Sequence, residues 1–382
     1  MNSYIIKMEL RRILTRIYSK KPIQRKVIFN SFGGKQYSAD PRAISEKLHE
    51  LYPEYEIVWV IWPRYRDNNL IPKYVRIIDG RWEFVKELPT AIAYITTNPL
   101  ERDIVKKEGQ FFVQTWHGDR GFKRCLYEAW GYREGVKVDI YDNVLTDLCI
   151  AASDYGEDVY HKAFKYNGKI LKIGMPRNDR LLNCSKKEIN EIKNKIGISP
   201  QKKILTYAPT FSDTKNGIQQ VTINIQQTLE ILNRDKEEWI CILRSHSASM
   251  GIEVYNTNNI LNLSNYPDMT DILLISDMLI TDFSSCAGDF ILRKKPVILA
   301  LFDEFGYKEI QKSFRIDIEE TGFFIARNQK ELNNIISNNT EEEFALNCEN
   351  ILKYYKTIET GNSAKVICDE INKAYNKLKN NN

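Results

Sequence analysis

His117 is the residue whose type and position best fit acid–base chemistry. In FFVQTWHGD it directly follows the run FFVQTW, which should be a buried strand. A basic loop with Arg120 and Lys123 comes next. Imidazole titrates near neutral pH, so a histidine at a strand end is a candidate general base, and the two cations could bind a phosphate group. A structural histidine that hydrogen-bonds the backbone is the alternative. The spacing alone does not separate the two interpretations.

A second histidine stands at another predicted strand end. The run WICILRSHS brings Arg244 and His246 together after five apolar residues. A guanidinium and an imidazole at one strand end suit a diphosphate, since both donate hydrogen bonds to its oxygens. The competing interpretation is a polar pair that caps the strand at the surface. No second histidine or carboxylate stands at ligand spacing here, so the pattern predicts no metal site.

Two adjacent serines follow the apolar run that ends at Asp282. In SDMLITDFSSCAGDF, Ser284 and Ser285 stand where the next helix should begin. Hydroxyls and free backbone N–H groups at that point form a phosphate cradle that needs no metal. An ordinary helix N-cap is the alternative, but it explains one serine and not the pair.

The stretch FNSFGGKQYSADP contains a glycine loop between a predicted strand and a predicted helix. Gly33 and Gly34 end the strand, and Asp40 is the predicted N-cap with Pro41 at the first helical position. A glycine loop at a helix N-terminus can hold an anion, with Lys35 beside it. Tight turns also use glycine for backbone reasons alone, so the motif is weak by itself.

Short apolar runs alternate with amphipathic stretches, which predicts parallel strands joined by crossover helices. The pattern starts twice, and a polar, Lys-rich segment near 185–200 separates the two series. We therefore expect an α/β protein with a basic segment at 1–25, one Rossmann-like domain at 26–190 and a second at 200–382. The expected strands are KVIFN, EIVWVI, VRII, AIAYITT, FFVQTW and LCIAAS in the first domain, and KKILTYAP, WICILR, NILNLS, DMLITD and PVILA in the second.

Length and composition agree with two folded domains. The chain has 382 residues, of which 43% are hydrophobic and 27% charged, and one compact core rarely serves so long a chain. Its seven cysteines form no CxxC pair, which is typical of reduced thiols in a cytosolic protein. No apolar run approaches the roughly 18 residues that span a bilayer, so we expect no transmembrane helix.

The first 26 residues hold most of the positive charge, with eight basic side chains against one acidic. An apolar stripe at helical spacing lies between the basic flanks, which is typical of a helix on an anionic membrane surface. A helix that docks the stripe on the protein's own core is the alternative. Nucleic acid is not an expected partner, because the rest of the chain is slightly acidic and has no reading motif. The stripe consists of Ile6, Leu10, Ile13 and Ile17.

Six ordered motifs resemble those of the CDP-glycerol:glycerophosphate glycerophosphotransferases, the family of teichoic acid primases and polymerases. They are FGGKQYSADPRAI, QTWHGD, GMPRNDRLL, LTYAPTFSD, LRSHS and LLISDMLITDFSSCAGDFILRKKPVIL, between about residue 26 and about residue 330. The resemblance implies a GT-B fold, with two Rossmann-like domains facing a central cleft and the CDP-polyol donor bound mainly by the C-terminal domain. It also implies peripheral, monotopic attachment to the cytoplasmic face of the bacterial membrane.

The resemblance also assigns roles to residues. It implies that His117 is the catalytic base and that His246 contacts the phosphates of the donor. The serine pair is expected to contact them too, with Arg244, Thr210 and Asp282 in the same donor site. Gly33, Gly34, Lys35, Arg120 and Lys123 are expected to bind the acceptor or its phosphates.

The chain departs from the family pattern in three places. Phe283 replaces a tyrosine, Asp119 replaces the usual threonine, and Ser245 and Ser247 replace prolines that flank the second histidine. These changes leave the fold prediction unaffected. They bear on which acceptor and which polyol the protein uses.

The expected reaction is the transfer of glycerol phosphate or ribitol phosphate from a CDP-activated donor to a hydroxyl of an acceptor. The acceptor would be a teichoic-acid-like, capsular or lipid-linked polymer, CMP would be released, and no metal or other cofactor is expected. One alternative is a GT-B glycosyltransferase that uses a nucleotide sugar, because a fold does not fix its donor. Another is an inactive module that recruits polymer enzymes to the membrane.

Overall fold

The computed structural model describes residues 3–66, 70–101, 103–130, 142–209, 223–235, 237–245, 257–302 and 314–381. The chain forms two compact units, and each contains more than one segment of the sequence. The first unit comprises Met1–Asp119, Cys125–Asp179 and Ile358–Asn382, and the second comprises Arg120–Arg124 and Arg180–Thr357.

Parallel strands form the centre of the first unit. Its described strands are β1 (Gln24–Asn30), β2 (Glu56–Val60), β3 (Arg76–Ile78), β4 (Ala91–Thr96), β5 (Phe111–Gln114), β6 (Leu148–Ala151) and β7 (Lys169–Lys172). They lie in the order β3-β2-β1-β4-β5-β6-β7. Val27, Ile28 and Phe29 of β1 are fully buried, as expected for a central strand covered on both faces.

The second unit contains a similar sheet. Its described strands are β8 (Lys203–Ala208), β9 (Trp239–Leu243), β10 (Ile260–Asn262), β11 (Met278–Thr281), β12 (Val297–Ala300) and β13 (Phe324–Ala326). Their order is β10-β9-β8-β11-β12-β13, and all pairs are parallel. Both sheets therefore have a Rossmann-like strand order.

Helices connect these strands, and several begin with a side-chain cap. Ser153, Ser185 and Asn224 each accept a hydrogen bond from a backbone N–H of the first turn, which satisfies a group that the helix leaves free. The described helices are α1 (Ser3–Tyr18), α2 (Ala39–Leu51), α3 (Gly80–Glu87), α4 (Leu126–Trp130), α5 (Asp142–Leu145), α6 (Asp154–Ala163), α7 (Asp179–Asn183), α8 (Lys186–Ile196), α9 (Ile225–Leu232), α10 (Met269–Ile275), α11 (Cys286–Phe290), α12 (Gln329–Asn338), α13 (Glu341–Tyr354) and α14 (Ser363–Asn380).

Every apolar run that we expected to be a strand contains one. Two strands, β7 and β13, were not predicted from the sequence, and each is the last strand of its sheet. The run KILK of β7 begins and ends with lysine and has no fully buried residue, and β13 has three residues. Neither segment has the continuous apolar run that marks a strand buried on both faces.

The domain boundaries of the structure differ from the expected ones. The predicted break at 190–200 lies within the second unit, because the Lys-rich segment forms α8, which buries Ile192 and ends at Gly197 with φ +82°. The segment after Thr357, which we assigned to the second domain, belongs to the first unit. The physical reason is packing, since Ile367 and Ile371 of α14 are part of the first unit's hydrophobic core.

The basic N-terminal helix α1 exposes its apolar stripe. Its four members, Ile6, Leu10, Ile13 and Ile17, are between 42% and 54% exposed. The opposite face packs on the first unit, where Thr15 is buried and the Arg11 Nε donates to Asp103 Oδ2 at 2.5 Å. The described structure thus contradicts the alternative in which the stripe packs on the core. None of the helices in the described ranges has the length and apolarity of a membrane span.

Candidate active site

The strand orders indicate where each unit could bind a ligand. In a doubly wound sheet, ligands bind beyond the carboxyl ends of the strands, where the order reverses. That point lies between β1 and β4 in the first unit, and between β8 and β11 in the second. Most of the predicted site residues follow these strands or their neighbours.

His117 lies beyond β5 in the first unit, next to the end of β4. Its Nδ1 is 3.1 Å from the carbonyl oxygen of Thr97. A carbonyl only accepts hydrogen bonds, so Nδ1 carries the proton and Nε2 is left with a free lone pair. Nε2 has no hydrogen-bond partner among the described residues. This tautomer is the one that a general base acting through Nε2 requires.

The surroundings of His117 keep its ring neutral. The pKa of His117 is lowered to about 4, chiefly by burial and also by the charge of Arg177, while the hydrogen bond to Thr97 acts in the opposite direction. The ring packs against Phe32, with centroids 5.3 Å apart, and against Trp116, with centroids 4.0 Å apart. At neutral pH the imidazole can therefore accept a proton.

Arg177, in the GMPRND motif, forms a buried ion pair with Asp40. Its Nη1 lies 2.6 Å from Asp40 Oδ2, and its backbone N–H donates to Asp40 Oδ1 at 2.9 Å. Asp40 is therefore not the N-cap that we predicted, since α2 begins at Ala39 and the capping position is Ser38. The Asp40 carboxylate instead fixes the GMPRND motif through its two hydrogen bonds with Arg177.

The glycine loop does not present free amides to an anion. The backbone N–H of Gly33 donates to Asn98 Oδ1 at 2.7 Å, and that of Gly34 donates to the carbonyl of Ser31 at 3.0 Å. Both glycines have positive φ, +66° and +81°, and a Cβ on Gly34 would lie 2.8 Å from the Trp62 ring. The glycines meet backbone needs, and the prediction that they bind phosphate is not supported by this geometry. Lys35 is exposed.

Arg120 is buried in the second unit and is not free to bind an acceptor. Its Nε donates to the carbonyl of Gly288 at 2.6 Å, and its Nη2 lies 3.2 Å from Asp289 Oδ1. A guanidinium that pairs with a carboxylate inside the protein is a structural group. These contacts do not support the prediction that Arg120 binds the acceptor.

Lys123 also belongs to the second unit, where its side chain is exposed. Its Nζ lies 5.6 Å from the centroid of the Phe283 ring, and Phe283 immediately precedes the serine pair. The structure thus places Lys123 beside the expected donor site and not in the first unit, to which we assigned acceptor binding.

The serine pair lies between β11 and α11, at the switch point of the second sheet. Ser285 precedes α11, but its side chain makes no capping hydrogen bond. Ser284 Oγ accepts a long hydrogen bond of 3.4 Å from the Cys286 N–H. Asp282 Oδ1 accepts from the Phe283 N–H at 2.6 Å. Ordinary capping therefore does not account for the hydroxyl of Ser285.

Arg244 follows β9 and has an incompletely satisfied guanidinium. Its Nη1 donates to the carbonyl of Ser264, while its Nε is buried and has no hydrogen-bond partner among the described residues. Burial lowers the pKa of Arg244, and Asp268 and Cys286 are close enough to raise it by their charges. Because β9 and β11 both pair with β8, the arginine and the serine pair are two strands apart, about 10 Å.

Two predicted site residues, His246 and Thr210, lie outside the described residues. The other two histidines are engaged elsewhere, since His49 stacks on Tyr74 and His161 Nδ1 donates to the carbonyl of Tyr166. No group of three potential metal ligands occurs in the described ranges.

Thr97 and Asn98 were not predicted as site residues, although they hold the His117 ring and the glycine loop in place. Thr97 supplies the carbonyl for the ring, and its Oγ1 accepts from the Phe32 N–H at 2.9 Å. The available signal was the pair of polar residues directly after the apolar run AIAYIT. At a switch point, such residues lie where a ligand or a catalytic side chain must be held.

Comparison with known proteins places this geometry in a family. The model of the family described as CDP-Glycerol:Poly(glycerophosphate) glycerophosphotransferase matches residues 13–373. The teichoic acid poly(glycerol phosphate) polymerase of Bacillus spizizenii is 30% identical over 96% of this chain and 98% of its own length. The teichoic acid glycerol-phosphate transferase of Staphylococcus aureus is 27% identical over 93% and 95%.

A solved structure of the wall teichoic acid polymerase TagF has the same fold. It is 24% identical, 99% of each chain is covered, and the TM-score is 0.81. The prediction of two Rossmann-like domains of the GT-B type is thereby confirmed. With the family match and the full-length relatives, this establishes that the chain is an enzyme of the CDP-glycerol:poly(glycerophosphate) glycerophosphotransferase family.

Proposed function

We propose that this enzyme transfers glycerol phosphate from CDP-glycerol to a hydroxyl of a teichoic-acid-type polymer or its lipid-linked primer, with release of CMP. The relatives that match nearly the whole chain are named for glycerol phosphate, which favours glycerol over ribitol as the polyol. Wall polymer and capsular polymer are both acceptors of this chemical kind.

The Arg244 guanidinium is the observation that carries the assignment of the donor site. Leaving a buried cation without a full set of acceptors is costly, so such a group favours an anionic ligand. The hydroxyl of Ser285, two strands away, makes no capping hydrogen bond with α11. Lys123 adds an exposed positive charge beside Phe283. A diphosphate would accept hydrogen bonds from all three. We assign His246 and Thr210 to the same site on family resemblance.

His117 acts as the general base in the proposed reaction. Its Nε2 removes the proton of the acceptor hydroxyl as the oxygen attacks the glycerol-bearing phosphorus. The bond from this phosphorus to the bridging oxygen breaks, and CMP leaves with that electron pair. Positioning and charge neutralisation supply most of the rate in such transfers. Arg244, His246 and the serine pair neutralise the phosphoryl oxygens, so turnover should persist in EDTA.

We further propose that α1 holds the enzyme on an anionic membrane, at the cytoplasmic face. The support is the arrangement of its side chains, since four apolar residues point outward and Arg16 and Lys20 are exposed beside them. Apolar insertion and attraction to anionic headgroups add together in such a helix. A polymer anchored to lipid would then be presented to the enzyme at the surface on which it grows.

The test is CMP release from CDP-glycerol, CDP-ribitol and UDP-sugars, each with a phosphoglycerol or lipid-linked acceptor and with EDTA present. We expect release from CDP-glycerol only, dependent on acceptor and abolished by His117→Ala. The matched control is His49→Ala, which removes a histidine that stacks on Tyr74 and should leave turnover unchanged. Release from CDP-ribitol alone would replace glycerol by ribitol. Sugar transfer from a UDP-sugar would replace the proposal with a glycosyltransferase.

A further inference from the structure

The chain passes between its two units at four points, and two of these points are identical dipeptides. Asp119 ends one segment of the first unit and Arg120 begins a segment of the second, and the same change occurs between Asp179 and Arg180. Asp followed by Arg occurs nowhere else in the 382 residues. In both places the aspartate is bonded within the first unit and the arginine within the second.

Asp119 is buried in the first unit against the start of α6. Its Oδ2 accepts from the Ala152 N–H at 2.9 Å, and its Oδ1 accepts from the Ser153 hydroxyl at 2.7 Å. Ser153 Oγ in turn accepts from the Gly156 N–H at 2.9 Å. A Cβ on Gly156 would lie 1.7 Å from Asp119 Oδ2, so the carboxylate occupies the space that a side chain would need.

Arg120 is bonded equally closely to α11 of the second unit. Its backbone and Cβ lie so near Gly288 that a Cβ there would come within 2.5 Å of both. With its hydrogen bonds to the Gly288 carbonyl and to Asp289, it contacts the helix that directly follows the serine pair. Asp119, for its part, stands two residues after His117.

The second dipeptide makes the same kinds of contact without these neighbours. Asp179 accepts from the N–H groups of Ser363 and Ala364 at the start of α14, at 3.0 and 2.8 Å. Arg180 donates to Asp271 Oδ1 at 2.6 Å and to Glu188 Oε1 at 2.9 Å.

We propose that Asp119 and Arg120 are positioning residues for the transfer reaction, Asp119 for the loop that carries His117 and Arg120 for the helix after the serine pair. This rests on the proposed function. The charged side chain of each residue forms buried hydrogen bonds. A shift of its backbone would break these bonds and leave a buried charge without partners, which is costly. A catalytic base must be held to within a fraction of an ångström, and a shift of about 1 Å can reduce the rate about 100-fold. Asp179 provides the matched control, since it makes the same contacts without a neighbouring catalytic residue.

The experiment uses full-length Asp119→Asn, Arg120→Lys and Asp179→Asn proteins, with steady-state kinetics and hydrogen exchange. In Asp119→Asn, the amides of residues 152–156 should exchange faster, and kcat should fall about tenfold with the KM for CDP-glycerol within about twofold. In Arg120→Lys, the KM for CDP-glycerol should rise about fivefold, because the lysine cannot reproduce both hydrogen bonds. In Asp179→Asn, exchange should quicken at Ser363 and Ala364 while kcat stays within about twofold of wild type.

The proposal is overturned if Asp119→Asn retains the wild-type kcat despite lost protection, or if Asp179→Asn lowers kcat as strongly as Asp119→Asn does. The first result would mean that the contacts of Asp119 are purely structural. The second would mean that either substitution lowers kcat by destabilising the first unit as a whole. If Asp119→Asn does not fold, Ser153→Ala removes one partner of the same carboxylate and should show the same kcat effect at smaller size. If the wild-type protein releases no CMP, the proposed function is refuted. If the amides of residues 152–156 exchange at the wild-type rate in Asp119→Asn, the role of Asp119 in holding this segment is refuted independently.

Discussion

The two sheets have the same strand order. The polar groups at their carboxyl edges differ in how they are hydrogen-bonded. In the first unit, the glycine loop donates its amides to Asn98 and Ser31, and His117 donates to Thr97. In the second, Ser285 makes no capping bond and Arg244 keeps a buried Nε without a partner among the described residues. Hydrogen bonds hold the His117 ring and the glycine loop in place at the first edge, whereas the unpartnered guanidinium nitrogen at the second edge is suited to a charged ligand.

Removing the base should have the largest effect on turnover. In His117→Asn, CMP release should fall about 1,000-fold, within the range for loss of a general base, because the acceptor hydroxyl keeps its proton. CDP-glycerol affinity, measured by calorimetry, should change less than about twofold, since the donor binds at the other edge. A large loss of donor affinity would contradict the assignment of the base to the first sheet and of donor binding to the second.

The pH dependence should reflect the partly buried position of His117. Its pKa is lowered to about 4, so the acid limb of kcat/KM should lie near pH 4 instead of near 6.5, and the profile should stay flat from about pH 5.5 to 8. The sign follows from the role, because protonation of Nε2 as the pH falls removes the base. An acid limb near 6.5 would mean that the ring is solvated and not held against Thr97.

The Arg244→Met variant should weaken donor binding about 10- to 100-fold, the value of one or two charge-assisted hydrogen bonds. The same change should not lower the melting temperature of the ligand-free protein, because it removes an incompletely satisfied buried cation. The comparison is thermal unfolding with and without CDP-glycerol, with Arg234→Gln, an exposed arginine of the same unit, as control. A strongly destabilised ligand-free variant would show that Arg244 is structural.

The outward stripe of α1 can be tested with the pair Leu10→Gln and Ile13→Gln. Binding to vesicles containing phosphatidylglycerol should fall about tenfold or more, since each exposed aliphatic side chain contributes about 1.5–3 kcal/mol when buried. CMP release with a water-soluble acceptor should not change. Leu346→Gln, an exposed leucine of the second unit, is the control, and equal loss of binding there would refute a specific membrane face.

The smallest expected effect concerns the glycine loop. Gly33→Ala should lower the free energy of unfolding by about 1 kcal/mol, because alanine is strained at φ +66° but would have no neighbour within 4 Å. Gly34→Ala should cost more, since its Cβ would meet Trp62. Chemical denaturation measures both. Neither variant should change donor affinity, and a loss would restore the anion cradle that we predicted from the sequence.

The strands and the position of His117 at a strand end were predictable because their signals are local. An apolar run followed by a polar residue marks a buried strand and its end, and His117 and the serine pair each stand directly after such a run. The contacts of Arg120 were not predictable, because its partners Gly288 and Asp289 lie more than 160 residues away in the sequence. A basic residue in a loop is ordinarily expected to be solvated. The anion-binding role of the glycine loop was not supported for a related reason, because the Gly33 N–H donates to Asn98, a residue from another strand end, and the Gly34 N–H donates to Ser31.

The placement of α14 has a consequence for how the chain is made. Ile367, Cys368 and Ile371 belong to the hydrophobic core of the first unit, although the whole second unit precedes them in the sequence. Domains fold as units during synthesis, starting from the N-terminal one where its residues are contiguous. Here the ribosome releases the second unit complete while the first still lacks its last helix. Part of the core around the N-terminal sheet therefore stays uncovered until α14 has been synthesised.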